Sequence, residues 1–304
     1  MLQQDQFPHP IRHSETTDPN RTPLNMLQDA ARKQMPSNPS KHWAAKMLTG
    51  SVYSWFVLAM IGQWLFALYI AMRYGVPVTS GNYSAVNQGN NIVGYKEGET
   101  FYNWVYFSHI LPAIVLSISG ILQFIPQIRQ QFPVIHRWNG RLFLTLGLSG
   151  AITGLYLTWI AGNRLSDIGA IGITLNGLLI PIAIALAWRT AVARDFRAHK
   201  RWAVHSFLLI NGVWSFRLYL FGWFVVNQGP VGNSAKLDGP MDLFFSFACY
   251  VLPMLVAELV FWAQRQSSPR KQWLVVAVVW LGFLVTLIGI AAVSFTMWLP
   301  TIRG

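Results

Sequence analysis

Residues 273–298, WLVVAVVWLGFLVTLIGIAAVSFTMW, contain no charged side chain and decide the fold class of the chain. The hydrocarbon core of a bilayer is about 30 Å thick, and a helix of about 20 apolar residues crosses it. The whole chain is 53% hydrophobic and 11% charged, whereas soluble domains carry roughly 25% charged residues. We therefore predict an all-α polytopic transmembrane bundle of about seven spans. The other six are expected at 51–73, 103–126, 140–161, 169–188, 202–225 and 242–264.

Lys and Arg are concentrated in every second connection between the spans, and such residues are retained on the cytoplasmic side. The cation-rich connections hold Lys41, Lys46, Arg129, Arg137, Arg189, Arg194, Arg197, Lys200, Arg201, Arg265, Arg270 and Lys271. The other set holds only Arg73, Lys96, Arg164, Lys236 and Arg303. The sequence therefore predicts an N-terminus inside and a C-terminus outside. Tryptophan near the span ends favours the same boundaries: Trp104, Trp138, Trp159, Trp188, Trp202, Trp223, Trp262, Trp273 and Trp298.

The net charge of +12 is explained by this topology. A nucleic-acid-binding protein would collect its basic residues on one folded soluble domain, and no segment is long and polar enough to form one. We therefore expect the partner of the chain to be the lipid bilayer and not nucleic acid. The location indicated is the inner (plasma) membrane of a cell, with multiple passes.

The chain divides into a polar tail and a membrane domain. We predict that residues 1–45 form a disordered cytoplasmic tail with a short helix around 27–33. Residues 46–304 are predicted to form the transmembrane helical domain. The first apolar run is too late and too long for a cleavable signal, so it is expected to act as an uncleaved anchor. The lone Cys249 excludes an intramolecular disulfide. The outer connection 75–100 is either a flexible loop or a lid.

Glycines recur in the third span, with Gly140, Gly147 and Gly154 seven residues apart and Gly150 between the last two. Small residues at such spacing allow another helix to approach closely in lipid. The pattern predicts a central helix with a packing face; a glycine-lined cofactor slot is the alternative.

Two ionisable residues lie at similar depth in the outer half of the bundle. His109 in the second span and Arg217 in the fifth are both roughly 9–12 Å from the outer face by helical rise. Ionisable groups inside a membrane usually face a partner or a cavity. We expect these two to line one outward-facing pocket, with Asp242 as a counter-charge for Arg217, unless Arg217 is satisfied by snorkelling to the surface.

Three histidines gather near the inner surface: His136, His199 and His205. Two imidazoles from different helices at equal depth are the ligands that a b-type haem requires. His136 with His205 meets that description and His136 with His199 is the rival; hydrogen-bonded structural histidines and a metal or quinone site are the other interpretations. The fourth span has no histidine, so a two-haem conduit is not expected.

Basic and acidic residues accompany these histidines. Arg137 and Arg141 are four residues apart, so both lie on one helix face. Their planar guanidinium groups can bind a carboxylate, a lipid phosphate or a haem propionate through two hydrogen bonds. Asp195 and Glu258 are the nearby acids, and Glu258 is expected to reach the basic cluster. Ordinary attraction to anionic lipid is the alternative.

The strings HRWNGRLF (136–143) and RDFRAHKRW (194–202) carry a resemblance that covers roughly residues 50–265. They are similar to a family of bacterial predicted membrane proteins of unknown function with motifs H-R-x-x-G-R and R-D-x-x-x-H-x-R-W. The resemblance implies a multi-spanning fold and the family positions His109, His136, Arg141, Asp195, His199, Arg201, Arg217 and Glu258. The chain departs from the family at His205, which favours His136 with His199. A more distant similarity is to cytochrome b561-like bundles.

Three functions therefore stay open, and the sequence does not decide whether the protein is an enzyme. The first is a membrane redox module that holds one b-type haem or a quinone near the cytoplasmic face and transfers electrons. The second is a non-enzymatic carrier or receptor that binds an anion through Arg217 and His109, with Glu258 as a proton site. The third is a membrane assembly protein. The sequence contains no G-x-x-x-x-G-K-[ST] phosphate loop, no H-E-x-x-H zinc-binding helix and no G-x-S-x-G nucleophile elbow.

Overall fold

The computed structural model describes residue 22, residues 39–88 and residues 93–303. These residues form α-helices joined by short connections, without a β-strand among them. The predicted helix at 27–33 and most of the predicted tail lie outside the described residues. The α-helices are α1 (Pro39–Ile70), α2 (Val76–Thr79), α3 (Thr100–Ile110), α4 (Pro112–Leu122), α5 (Pro126–Gln131), α6 (Pro133–Leu155), α7 (Asp167–Val192), α8 (Phe196–Ile210), α9 (Gly212–Val226), α10 (Pro240–Gln264), α11 (Pro269–Val293) and α12 (Leu299–Arg303).

The bundle confirms the predicted fold class. Six helical segments are long and apolar enough to cross a membrane, and the bent pair α8–α9 brings the number of crossings up to seven. The first helix begins at Pro39, within the predicted tail, and its helical path runs on to Thr79 through a π-helical turn at Ala71–Gly75. Similar π turns, Tyr156–Ile160 and Ser294–Trp298, extend the third and seventh spans.

The fifth span differs most from its prediction as one straight helix over 202–225. It consists of α8 and α9, which meet at Asn211 with a bend of 55°. Asn-Gly pairs favour turns over helix interiors, and Asn211-Gly212 stands in the middle of the apolar run. The backbone groups released at a break inside a membrane need partners from the protein. Asn176 supplies one, because its side-chain amide donates to the carbonyl of Leu209 at 3.1 Å.

The glycines of the third span provide the close packing that their spacing predicts. A Cβ added at Gly147 would clash with Ile210 Cδ1, and one added at Gly154 would meet His109 Cε1 at 2.9 Å. A Cβ added at Gly150 would have nothing within 4 Å. The face formed by Gly147 and Gly154 is therefore a packing surface against α8 and α3.

The described residues of the outer connection 75–100 form an ordered cap over part of the bundle. Arg73 donates to the carbonyls of Ala85 and Val86 at 3.0 and 3.1 Å. Val86 is fully buried against Tyr102 and Tyr106 of α3. Because a buried apolar anchor and a bidentate arginine hold it, this segment covers the outer ends of the second and third spans.

Candidate functional site

The turn between α7 and α8 sets the position of His199. Asp195 is the N-cap of α8, where its carboxylate accepts the backbone N–H of Ala198 at 3.0 Å. Arg194 precedes it with a positive φ of 58°. Asp195, a predicted site residue, therefore has a structural role: it starts the helix that carries His199 into the inner end of the bundle.

The His199 ring is held by its Nδ1 atom. This nitrogen lies 2.9 Å from the carbonyl oxygen of Ala187 in α7. A carbonyl can only accept, so Nδ1 carries a proton, and in the neutral ring Nε2 keeps its lone pair. Nε2 has no hydrogen-bond partner among the described residues. An imidazole with Nδ1 fixed by a backbone carbonyl has the orientation and tautomer that ligating histidines use.

His136 lies in the first turn of α6, near His199. The two rings are close enough to interact electrostatically, and Arg129 and Arg137 act on the same ring. Gln123 donates to the backbone carbonyl of His136 at 3.2 Å. The Nδ1 atom of His136 is buried, and no described residue is its hydrogen-bond partner. The structure thus places one histidine from each of two helices within electrostatic range of the other, and each has one ring nitrogen without a hydrogen-bond partner among the described residues.

His205 is engaged differently. Its Nε2 lies 2.6 Å from Oε1 of Glu258 in α10, and the same oxygen accepts Nε of Arg201 at 2.6 Å. The His205 side chain is buried, whereas Arg201 is half exposed. Glu258 therefore reaches the basic cluster, and its partners are Arg201 and His205. Nε2 of His205 is thereby occupied, whereas its Nδ1, like Nδ1 of His136, is buried without a hydrogen-bond partner among the described residues.

Arg137 and Arg141 lie on the exposed face at the inner end of α6. The guanidinium of Arg141 stacks over the Trp138 ring at 4.8 Å. Neither arginine forms an ion pair with an acid in the part of the chain that the structure describes. Both are therefore available to an anionic group at this surface.

In the outer half, His109 and Arg217 lie within electrostatic range of each other. Nδ1 of His109 contacts Thr153 Oγ1 at 3.0 Å, and Arg217 is close enough to act on this ring electrostatically. The Arg217 guanidinium lies over the Phe66 ring at 5.7 Å and donates to the carbonyl of Val213 at 3.1 Å. Its field also reaches the hydroxyl of Tyr69. The structure thus places Arg217 beside aromatic rings, with His109 within its electrostatic range.

Asp242 does not have the role expected of it as the counter-charge of Arg217. Its buried carboxylate accepts the backbone N–H groups of Ser234 and Gly239 and the amide of Asn233, at 2.8, 3.1 and 2.6 Å. These contacts organise the connection before α10. Arg217 has no acidic partner within 4.0 Å among the described residues.

Sequence reasoning missed a set of buried amides around the break in the fifth span. Gln63 of α1 is 1% exposed and donates to Asn211 Oδ1 at 2.8 Å. A Cβ on Gly212 would meet the Asn176 amide at 2.6 Å. Each of these amides interrupts an apolar run: Gln63, Asn176 and Asn211. That interruption is the signal that could have identified them, because polar groups inside a membrane need partners.

The comparison with known protein families matches residues 106–261 to the family described as "Predicted membrane protein (DUF2306)". The curated proteins compared with the chain gave no match, and neither did the solved structures. The matched segment contains all nine of the predicted site residues, from His109 to Glu258.

Proposed function

The chain belongs to the DUF2306 family of predicted membrane proteins, and we propose that it is a membrane redox module holding one b-type haem between His136 and His199. The single observation that carries this proposal is the state of these two rings. Nδ1 of His199 is fixed by the Ala187 carbonyl, while Nδ1 of His136 is buried without a partner among the described residues.

The residues around the pair suit this cofactor. Bis-imidazole ligation takes one histidine from each of two helices, and α6 and α8 supply one each. Arg137 and Arg141 would hold the propionates, because neither is paired with an acid within the described residues. His205 also has a buried Nδ1 without a partner among the described residues, but its Nε2 is held by Glu258, so His136 and His199 are the pair that we propose. When bound, the haem would supply one-electron transfer near the cytoplasmic face. A quinone held by the same histidines is the alternative.

An absorption spectrum of the purified protein tests this proposal. Protein from haem-replete cells should show a Soret band and a reduced-minus-oxidised α band. His199→Ala and His136→Ala should each lose both bands, whereas the control His42→Ala, at an exposed position of α1, should keep them. Colourless protein that is folded by circular dichroism would exclude haem, and extraction of its lipids would then show whether a quinone is retained.

A second function is favoured by Arg217. An arginine in a membrane-spanning helix usually has a counter-charge. Among the described residues, Arg217 interacts with the Phe66 ring, the Val213 carbonyl and, electrostatically, His109, and it has no acidic partner. Such a site suits a carrier or receptor for an anion, with Glu258 as its proton site.

This alternative is tested with inorganic phosphate and with succinate as probes. Either anion should raise the thermal midpoint of the purified wild type, and Arg217→Ala should abolish the shift. The matched control is Lys236→Ala, an exposed cation of an outer connection. An equal shift in Arg217→Ala and wild type would rule out Arg217 as the anion site.

A further inference from the structure

An uncharged groove runs down the lipid-facing side of the second span. Its volume is about 720 Å³, and it extends from the outer cap along α3, past the junction with α4, to the third span. Tyr83 and Tyr95 line the cap end, Trp104 and Phe107 the middle, and Val115 and Leu146 the deep end. None of its lining side chains is charged. This groove is distinct from the inner histidine cluster and from the Arg217 site.

The cap end of the groove is built for a flat ring. The rings of Tyr83 and Tyr95 stack with centroids 5.6 Å apart, and Phe107 lies 6.0 Å from Tyr83. Stacked and tilted aromatic rings at such distances offer faces on which a planar group can pack. Tyr83 and Tyr95 each carry a phenol hydroxyl, a hydrogen-bond donor, beside these faces.

The rest of the groove is built for a long apolar chain. From Thr100 to Val115 the helical rise is roughly 22 Å, which takes the groove from the cap well into the apolar layer. The deep lining is Leu111, Pro112, Val115 and Leu146. An occupant therefore needs one flat polar end and one extended hydrocarbon end.

Charge decides between the membrane components that have this shape. A phospholipid head group carries a phosphate, which needs a cation at the cap end. Lys96, next to Tyr95 in the chain, is already paired with Glu99 at 3.5 Å and lies over the Tyr102 ring at 4.2 Å. An uncharged ring with carbonyl oxygens matches the two phenol donors and the uncharged walls.

We propose that this groove binds an isoprenoid quinone, with its ring beside Tyr83, Tyr95 and Phe107 and its chain along α3 and α4. The phenol hydroxyls donate to the quinone carbonyls. This site goes beyond the proposed haem function and does not rest on it, since the groove is formed by different helices and different residues.

Binding of decylubiquinone to the purified full chain, measured by isothermal titration calorimetry, tests the site. The double variant Tyr83→Phe/Tyr95→Phe keeps both rings and removes only the two donors, so it should weaken binding about 30-fold. Leu146→Trp fills the deep end and should abolish binding. Tyr53→Phe, on an exposed face of α1, is the matched control and should bind as wild type does.

A parallel measurement separates this site from the haem proposal. The double variant Tyr83→Phe/Tyr95→Phe should keep the Soret and α bands of the wild type, because the groove and the His136–His199 pair share no residue. Lipids extracted from the wild type should be enriched in isoprenoid quinone relative to the source membrane. Absence of binding to folded wild type, equal binding to the groove variants, or a phospholipid as the only retained lipid would each overturn the proposal.

Discussion

The carboxylate of Glu258 accepts hydrogen bonds from two side chains of α8. One is the half-exposed Arg201 and the other is His205, which is 4% exposed. A buried donor that loses its acceptor costs about 1–3 kcal/mol, because water does not replace the bond. We therefore expect Glu258→Ala to lower the stability of the purified protein by about that amount, measured as a lower thermal unfolding midpoint in detergent.

The control for this prediction is Arg201→Ala. It removes the exposed partner and leaves the His205–Glu258 contact in place, and exposed ion pairs contribute at most about 1 kcal/mol. Its midpoint should lie clearly above that of Glu258→Ala. Equal losses in the two variants would show that the buried contact with His205 contributes nothing beyond the ion pair.

The sequence predicts the depth of a residue in the membrane better than it predicts which neighbours the residue contacts. The distance of a residue from the ends of an apolar run predicts its depth along a span, which is why His109 and Arg217 are predicted at one level. It does not give the rotation of each helix about its axis. Trp298 was therefore expected at the interface, yet it is fully buried against Phe66 and Tyr69. Asp242 was assigned to Arg217 for the same reason.

Helices α9 and α11 cross at a point where glycine has no substitute. A Cβ on Gly289 would lie 2.7 Å from the carbonyl oxygen and the Cβ of Leu218, and Gly222 faces the same crossing. Backbone atoms cannot rotate away as side-chain ends do. Gly289→Ala should thus push the two helices apart at a cost of about 1–3 kcal/mol, visible as a lower thermal midpoint.

Gly282, in the same helix, is the matched control. Nothing lies within 4 Å of a Cβ added there, and alanine is the better helix former. Gly282→Ala should leave the midpoint unchanged or raise it. A midpoint for Gly289→Ala equal to wild type would mean that the crossing tolerates separation.

The sequence predicts a membrane-spanning helix well where the length of an apolar run determines it. It predicts a span less well where a break interrupts the helix. Seven runs gave seven crossings at most, counting the bent pair as one. The break at Asn211 was missed because hydropathy averages over the polar pair Asn211-Gly212. Pro112 also begins a new helix, whereas Pro181 and Pro253 lie inside continuous helices. Whether a span breaks is thus decided by packing partners such as Asn176.

The asymmetry of charge between the two ends of the bundle predicts how the whole molecule is oriented in the membrane. The connections that contain Arg194 and Arg265 are cation-rich, whereas the connection 227–239 before α10 holds one lysine and one aspartate. Retention of cations on the cytoplasmic side predicts that the cation-rich end is inside. This orientation also places the His136–His199 pair at the cytoplasmic face and the quinone groove at the outer one.

Single cysteines report this orientation directly, because the native Cys249 is 4% exposed within α10 and should stay unreactive. Ala235 and Ser267 are exposed residues of connections at opposite ends of α10. A membrane-impermeant maleimide should label Ala235→Cys in intact cells and Ser267→Cys only after permeabilisation. Wild type, with Cys249 alone, is the control for background. The reverse pattern would place the N-terminus outside and move the histidine pair to the outer face, where a redox partner in the cytoplasm could not reach it.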